Sequence, residues 1–447
     1  MRSAVALPPV SSAMSDPIRR AERVRAAMPE GGLFAEKEWR VSPEPFVLSK
    51  GEVRQLAQLG TLFHRFQKTC DLLYRRSRGG SLPAWIAKDL DRGKPDPLLA
   101  AGLASATLTE TPRVIRPDLI LTSDGFSATE LDSVPGGIGL TAWLGETYAA
   151  IDSSHEIVGG ADGMFGGFAS IFGAGGADLL VSRESAGYRP EMQWLADRLP
   201  GDWRVADAET YEAAGREVYR FFELFDLPNL PASAELMAAA AAGRVKVTAP
   251  FKPWLEEKMW SALFWSHPLR DVWKRELRES NWNRLRSIFP QSWIVDPAEV
   301  PHHAVIPGLE IGSFAELKHF TRTERELVLK LSGFNEHAWG SRSVTVGQDA
   351  SQAEWGEAVD EAIASYERAP YVLQRFHTGR LVTHPWWNPA TGRIEMMEGR
   401  VRLCPYYFVS AKDESVALGG VLATICPSDK KILHGMRDAI LVPCRVE

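Results

Sequence analysis

The sequence predicts a protein of the α+β / α/β class, with a helical N-terminal segment, a small doubly wound α/β unit and an antiparallel C-terminal part. Three observations carry this. Leu56, Leu59, Phe63, Phe66, Cys70 and Leu73 recur at helical spacing near the N-terminus. Residues 177–227 alternate strand-like and helix-like runs, the pattern of βαβ units. The runs GRIEMMEGRVRLCPYYFV and SVALGGVLATICP alternate apolar and polar residues, as antiparallel strands do.

A chain of 447 residues has room for about two to four domains, each with a sizeable core. Its net charge of −6 argues against a nucleic-acid or anionic-membrane partner, since both call for a clustered basic surface. No apolar run approaches the length of a membrane-spanning helix. The opening MRSAVALPPVSSAM is a poor signal peptide, so a cytoplasmic location is expected. Residues 1–14 read as a disordered tail, with Met14 a candidate start. Cys70, Cys404, Cys426 and Cys444 are too scattered for a disulfide framework or a zinc site and are expected reduced and mostly buried.

Residues 15–112 read as mainly helical, with a helix after Ser49 and another over Pro83 to Leu99 that Gly93 and Pro95 stop. Next come two strand-like runs, Val114 to Leu121 and Phe126 to Leu131, joined by Ser123-Asp124-Gly125 as a hairpin. Glu130 and Asp132 are two apart on one strand and share a face, roughly 7 Å apart. Asp118 joins that face only if it pairs with Glu130. A three-residue turn with Gly125 left-handed gives that pairing, whereas a two-residue turn at Asp124-Gly125 would pair Asp118 with Leu131. Three acids on one face repel unless a cation sits among them. The group is either a Mg²⁺ site or a set of ordinary solvated acids.

Gly136, Gly137 and Gly139 precede a helix-like run, so they offer backbone amides to an anion or simply make a tight connection. Val158 to Phe172 is glycine-rich, but no strand precedes it and its spacing is not that of a dinucleotide fingerprint. In the α/β stretch, a helix is expected over Tyr188 to Leu199, and Glu184 and Glu191 are candidates for substrate contact. Pro228 to Gly243 marks a soft boundary. Residues 251–289 mix aromatic, basic and acidic residues, which fits an amphipathic helical pair packed on the core. Glu326 to Lys330 is a strand ending in lysine before the polar loop SGFNEHAWGSRSV, an arrangement suited to gripping phosphate. Tyr371 to Phe376 is a short buried strand whose Gln374 is a candidate for an adenine edge.

The order R-x-D at Arg116 and Asp118, E-x-D at Glu130 and Asp132, the lysine strand with its loop, then the LQRF strand resembles the circularly permuted ATP-grasp ligases, specifically the glutathionylspermidine synthase-like family. The resemblance covers element order from about Glu36 to the C-terminus, with its specific residues confined to 116–140, 251–265 and 326–376. It implies a circularly permuted ATP-grasp fold with a small Rossmann-like pre-ATP-grasp domain and a helical N-terminal segment. The implied domains are 15–145, helical segment plus metal-binding hairpin; 146–245, the Rossmann-like domain; and 246–447, the nucleotide-binding part. The implied activity is an ATP-dependent carboxylate-amine ligation through an acyl phosphate, releasing ADP and phosphate, with small-molecule carboxylate and amine substrates.

The same resemblance implies that Asp118, Glu130 and Asp132 hold Mg²⁺ and that Arg116 contacts the transferred phosphate. Lys258, in the EEKMW segment, and Lys330 would grip ATP phosphates, with Gln374 near the adenine. Gly333, Gly340 and Ser341 would belong to a flap over the nucleotide. The sequence departs from the family in three ways. Asp132 stands where the family has Asn, no N-terminal amidase domain is seen, and the C-terminal motifs are altered to GRVRLCPYYF and ALGGVLATICP. The first departure keeps a second class in view, an ATP-binding homologue that is catalytically impaired and acts as a regulatory or interaction partner.

Overall fold

The computed structural model describes residues 16–29, 38–332, 334–338, 343–435 and 437–447, so the tail expected over 1–14 lies outside the described residues. The chain begins with α1 (Pro17–Ala26), β1 (Phe46–Leu48) and α2 (Lys50–Arg78). Ser49 and Glu52 form a reciprocal capping box at the start of α2, satisfying amides that a helix end leaves orphaned. All six residues of the predicted stripe on α2 are buried. Gly93, left-handed at φ 70°, separates α3 (Ala84–Asp91) from α4 (Asp96–Gly102).

The hairpin follows as β2 (Val114–Thr122) and β3 (Gly125–Asp132). Asp118 lies opposite Glu130 and Arg116 opposite Asp132, the expected register. Its cause differs from the expected one. The turn holds only Ser123 and Asp124, with Thr122 paired to Gly125 at φ 130°. The extra residue is Thr129, which bulges between Ala128, paired to Leu119, and Glu130, paired to Asp118. Without that bulge Asp118 would face Thr129, and Glu130 and Asp132 would point to the opposite side, because strand side chains alternate with period two.

Beyond the hairpin run α5 (Ile138–Ile151), α6 (Gly163–Ser170), β4 (Asp178–Val181), α7 (Arg189–Ala196), β5 (Arg204–Asp207), β6 (Val218–Phe221), α8 (Ser233–Ala241) and β7 (Val247–Thr248). The strands form a parallel sheet in the order β5-β4-β6-β7. Helix α7 is shorter at both ends than Tyr188 to Leu199, since a 3-10 turn precedes it. The glycine-rich run around α6 is a packing device. A Cβ at Gly159 would lie 2.0 Å from the Gly419 carbonyl oxygen, and one at Gly167 2.2 Å from the Phe408 ring.

Residues 251–289 form three helices where a pair was expected: α9 (Met259–Trp265), α10 (Arg270–Leu277) and α11 (Glu279–Arg286). Arg278, at φ 68°, breaks the last two apart. Their aromatic residues do pack on the core, with the Trp273 ring stacked on Phe66 of α2 at 5.4 Å. An antiparallel sheet follows, built from β8 (Ser292–Ile294), β9 (Leu327–Leu331), β10 (Val344–Val346), α12 (Gln352–Ala364) as its connection, and β11 (Tyr371–Arg375). Its order is β10-β9-β11-β8.

The last strands are β12 (Leu381–Asn388), β13 (Arg393–Val409), β14 (Val416–Pro427) and β15 (Ile440–Val446). They join the hairpin in a seven-stranded sheet of order β1-β15-β14-β13-β2-β3, with β12 on β13. The hairpin therefore shares a sheet with residues near the C-terminus. All four cysteines are buried and unpaired. Among the described residues no helix is long and apolar enough to cross a membrane.

Two neighbouring glycines test the packing of α6. Gly159 has φ 89° and no room for a Cβ, whereas Gly166 lies in the helix with nothing within 4 Å. Gly159→Ala is expected to cost about 1–3 kcal/mol, and Gly166→Ala to gain about 0.5–1 kcal/mol. Urea unfolding of the two variants checks the contrast.

Candidate active site

A cleft of about 1090 Å³ opens between the seven-stranded sheet and the antiparallel four-stranded sheet and reaches the C-terminal edge of the parallel sheet. Arg116, Asp118, Glu130 and Asp132 from the hairpin line one side. Strand β13 pairs with β2 so that Arg402 lies opposite Ile120. Alternation along β13 then brings Arg402, Cys404 and Tyr406 to the same face of the sheet. Lys330 from β9 and Lys258, immediately before α9, face them across the cleft.

The charges are heavily cross-linked. Arg116 Nε lies 3.1 Å from Asp118 Oδ1, Nη2 donates to Asp132 Oδ2 at 3.0 Å, and Nη1 donates to the Gly136 carbonyl at 3.3 Å. Arg402 Nη1 donates to Asp118 Oδ2 at 2.9 Å, and the Cys404 thiol reaches Oδ1 at 3.5 Å. Glu130 pairs with Lys258 at 3.0 Å, and Lys258 also donates to the Ala338 carbonyl at 2.9 Å. Lys330 donates to the carbonyl of the bulge residue Thr129 at 3.1 Å and to Gln374 Oε1 at 2.9 Å. The other end of the Gln374 amide donates to Ser292 Oγ at 3.2 Å. Buried with one hydrogen bond at each end of its amide, Gln374 orients Lys330 and still lines the cleft.

Proton affinities follow these contacts. Burial raises the Asp118 carboxyl, but Arg116 and Arg402 outweigh it and hold the group below the usual aspartate range. For Glu130 burial is likewise outweighed, chiefly by Lys258. Asp132 goes the other way: burial and the nearby Glu130 lift it above the usual value although Arg116 opposes them. Burial pulls Lys330 down to about 8, with Lys258 adding to the fall and Glu130 and Asp118 resisting it. Cys404 is pushed up to about 12 by burial, so its thiol is protonated at neutral pH and is not a nucleophile.

The three hairpin acids do share a face, yet they are not assembled as a ligand set. Among the described residues no group of three or more His, Cys, Asp or Glu side chains is placed to hold a metal ion. The cation lying among the acids is the Arg116 guanidinium. In the glycine turn before α5, one amide and one carbonyl are met by side chains of the chain itself. Glu191, fully buried, accepts from the Gly139 amide at 3.1 Å, and Tyr406 donates to the Gly136 carbonyl at 2.6 Å. Glu191 is therefore a structural group and not a substrate contact, and Glu184 is exposed.

Gly333, Gly340 and Ser341 lie outside the described residues. Sequence reasoning missed Arg402 and Glu223. The first was readable only through the alternation of RVRLCPY once β13 was known to pair with β2. Glu223 lies just past the C-terminal end of β6, where ligands of doubly wound sheets gather. Burial, with Glu256 and Asp132 nearby, holds its carboxyl well above the usual glutamate value.

No protein-family model matches the chain, and no curated protein matches it. Among solved structures, the apo form of a glutathione synthetase-like effector from Globodera pallida aligns with a TM-score of 0.52 at 10% identity, covering 97% of this chain and 98% of that one. A putative gamma-glutamylcysteine synthetase from Methylobacillus flagellatus KT covers 88% of this chain and 87% of its own at 9% identity, but its TM-score of 0.35 carries no argument. The chain thus has a mixed α/β fold of several sheets, similar to that of the glutathione synthetase-like effector.

Proposed function

We propose that this chain is an ATP-dependent carboxylate-amine ligase with a circularly permuted ATP-grasp arrangement. One observation carries the reading: Lys258 and Lys330, from two distant segments, meet Arg116 and the acids of the hairpin in a cleft between the seven-stranded sheet and the antiparallel four-stranded sheet. Such a set suits phosphoryl transfer, where catalysis is positioning plus charge stabilisation. A fold shared with a glutathione synthetase-like effector supports it.

In this reading Lys330 and Lys258 hold the ATP phosphates and Arg116 meets the transferred phosphoryl group. A phosphate that takes Lys258 releases Glu130, whose side chain is 40% exposed and, among the described residues, holds no other ion pair. The protein alone does not form a three-acid metal site. Mg²⁺ commonly needs only one or two carboxylates when substrate phosphates complete its shell, and Glu130 and Asp132 would supply those oxygens with Asp118 kept by Arg116 and Arg402. Bound there, the ion would neutralise developing phosphate charge. The flap assignment of Gly333, Gly340 and Ser341 rests on the family resemblance alone.

The chemistry balances as two displacements. A carboxylate oxygen of one substrate attacks the γ-phosphorus and ADP leaves; the neutral amine then adds to the acyl carbon, the C–O bond to phosphate breaks, the nitrogen gives up a proton to water or the departing phosphate, and an amide remains. The second reading, an impaired homologue, draws on Arg116 occupying the space among the acids and on the raised Asp132 carboxyl. ADP release during incubation with mixed carboxylates and amines separates them. Binding of Mg-ATP without substrate-dependent ADP release selects the second.

Glu130→Gln and Lys330→Ala are each expected to lower ADP release by about 10²-fold or more, with circular dichroism and Tm as in the parent. Near-normal turnover in either variant overturns the assignment. A pH series adds a second check. Lys330 loses its charge near pH 8 in the nucleotide-free protein, so ATP affinity is expected to fall as pH rises through that value, and Lys330→Arg to hold it level. Unfolding does not explain such a fall. The folded value lies below that of a free lysine at about 10.4, so between the two the unfolded chain binds more protons and this group's effect on stability improves with pH. Titration of ATP binding from pH 7 to 9.5 reads the result.

A further inference from the structure

Strand register places four side chains in one row across the floor of the cleft. Ile120 on β2 faces Arg402 on β13, Arg402 faces Thr424 on β14, and Thr424 faces Leu441 on β15. All four line the cleft. Cross-strand neighbours of this kind lie about 5 Å apart at Cβ, so the partly exposed Arg402 and the fully buried Thr424 are polar neighbours with apolar residues at both ends. Leu422 and Leu433 extend the apolar border.

The polar pair has unused capacity. Among the described residues Arg402 forms a hydrogen bond only through Nη1, to Asp118 at 2.9 Å. Its Nε is buried without a partner, and so is the Thr424 hydroxyl. The Arg402 side chain keeps 18% exposure and lines the cleft, with Nε itself buried. Arg116 differs, because both of its terminal nitrogens are committed to Asp132 and the Gly136 carbonyl. A buried donor left unpaired costs about 1–3 kcal/mol, and the Nε/Nη edge of a guanidinium matches an oxyanion in two-point contact.

We infer that Arg402 and Thr424 seat an oxyanion, the carboxylate of the acid substrate, and that Ile120, Leu422, Leu433 and Leu441 select an acid with apolar carbons beside it. The word substrate rests on the ligase reading; the seat itself rests on register and unpaired atoms. Asp118 bonds both Arg402 and Arg116, so the seat adjoins the position assigned to the transferred phosphoryl group. Thr424 serves as a specificity residue, and Arg402 as the group that touches the carboxylate.

Calorimetric titration of the full chain with hexanoate, its neutral isostere hexanamide, and inorganic phosphate, all without ATP, tests this. Hexanoate is expected to bind at least about 10-fold more tightly than hexanamide, and Arg402→Gln to remove that advantage. Thr424→Val is expected to weaken hexanoate several-fold with Tm equal to or above the parent's, because it keeps the volume and deletes an unpaired buried hydroxyl. This variant decides the matter if Arg402→Gln fails to fold. Equal binding of hexanoate and hexanamide, or parental hexanoate affinity in Thr424→Val, overturns the inference. So does a site that takes phosphate in preference to hexanoate. Failure of this test with ADP release intact removes the seat and leaves the ligase; success without ADP release does the reverse.

Discussion

The Arg116 guanidinium between Asp118 and Asp132 is the contact on which the cleft depends. Carboxylates gathered on one face at low dielectric repel by several kcal/mol, and a planar cation with fixed donors is the group best shaped to hold two of them. Arg402 adds a second cation on Asp118 and Lys258 a third on Glu130. The result is a partly buried array in which each of these acids is paired with a cation of the chain itself.

That array exists because of one inserted residue. Thr129 turns Glu130 and Asp132 toward the cleft, and as an unpaired bulge residue it leaves a carbonyl for Lys330 to bond. The bulge thus sets the direction of the acids and the position of the lysine together. Gln374 completes the arrangement from β11, tied to Ser292 behind it. Lys330 is held by neutral oxygens and not by a carboxylate, which is why burial wins and its ammonium is easily neutralised.

The glycine-rich stretches show the opposite economy. The amide end of α5 looks in sequence like a seat for an external anion, but Glu191 reaches it from α7. The cluster around α6 looks like a cofactor loop, but its missing side chains let the helix approach β13 and β14. In the first case a side chain of the protein takes the Gly139 amide, and in the second the glycines serve close packing.

By itself the sequence determined the local pieces: the α2 stripe and its Ser49 cap, the parallel α/β alternation, the hairpin acids two apart, the lysine strand and the long alternating C-terminal strands. These are legible because periodicity and capping report burial and backbone bonding over a few residues. Only the tertiary structure decided which charges meet. Arg402 and Asp118 are 284 positions apart, Lys330 and Thr129 are 201 apart, and neither pairing leaves a trace in local pattern. Sheet order put β13 beside the hairpin, and a bulge that no turn signal announces chose the face. Register is a property of whole strands packed on a core, so a single unpaired residue can redirect every side chain beyond it.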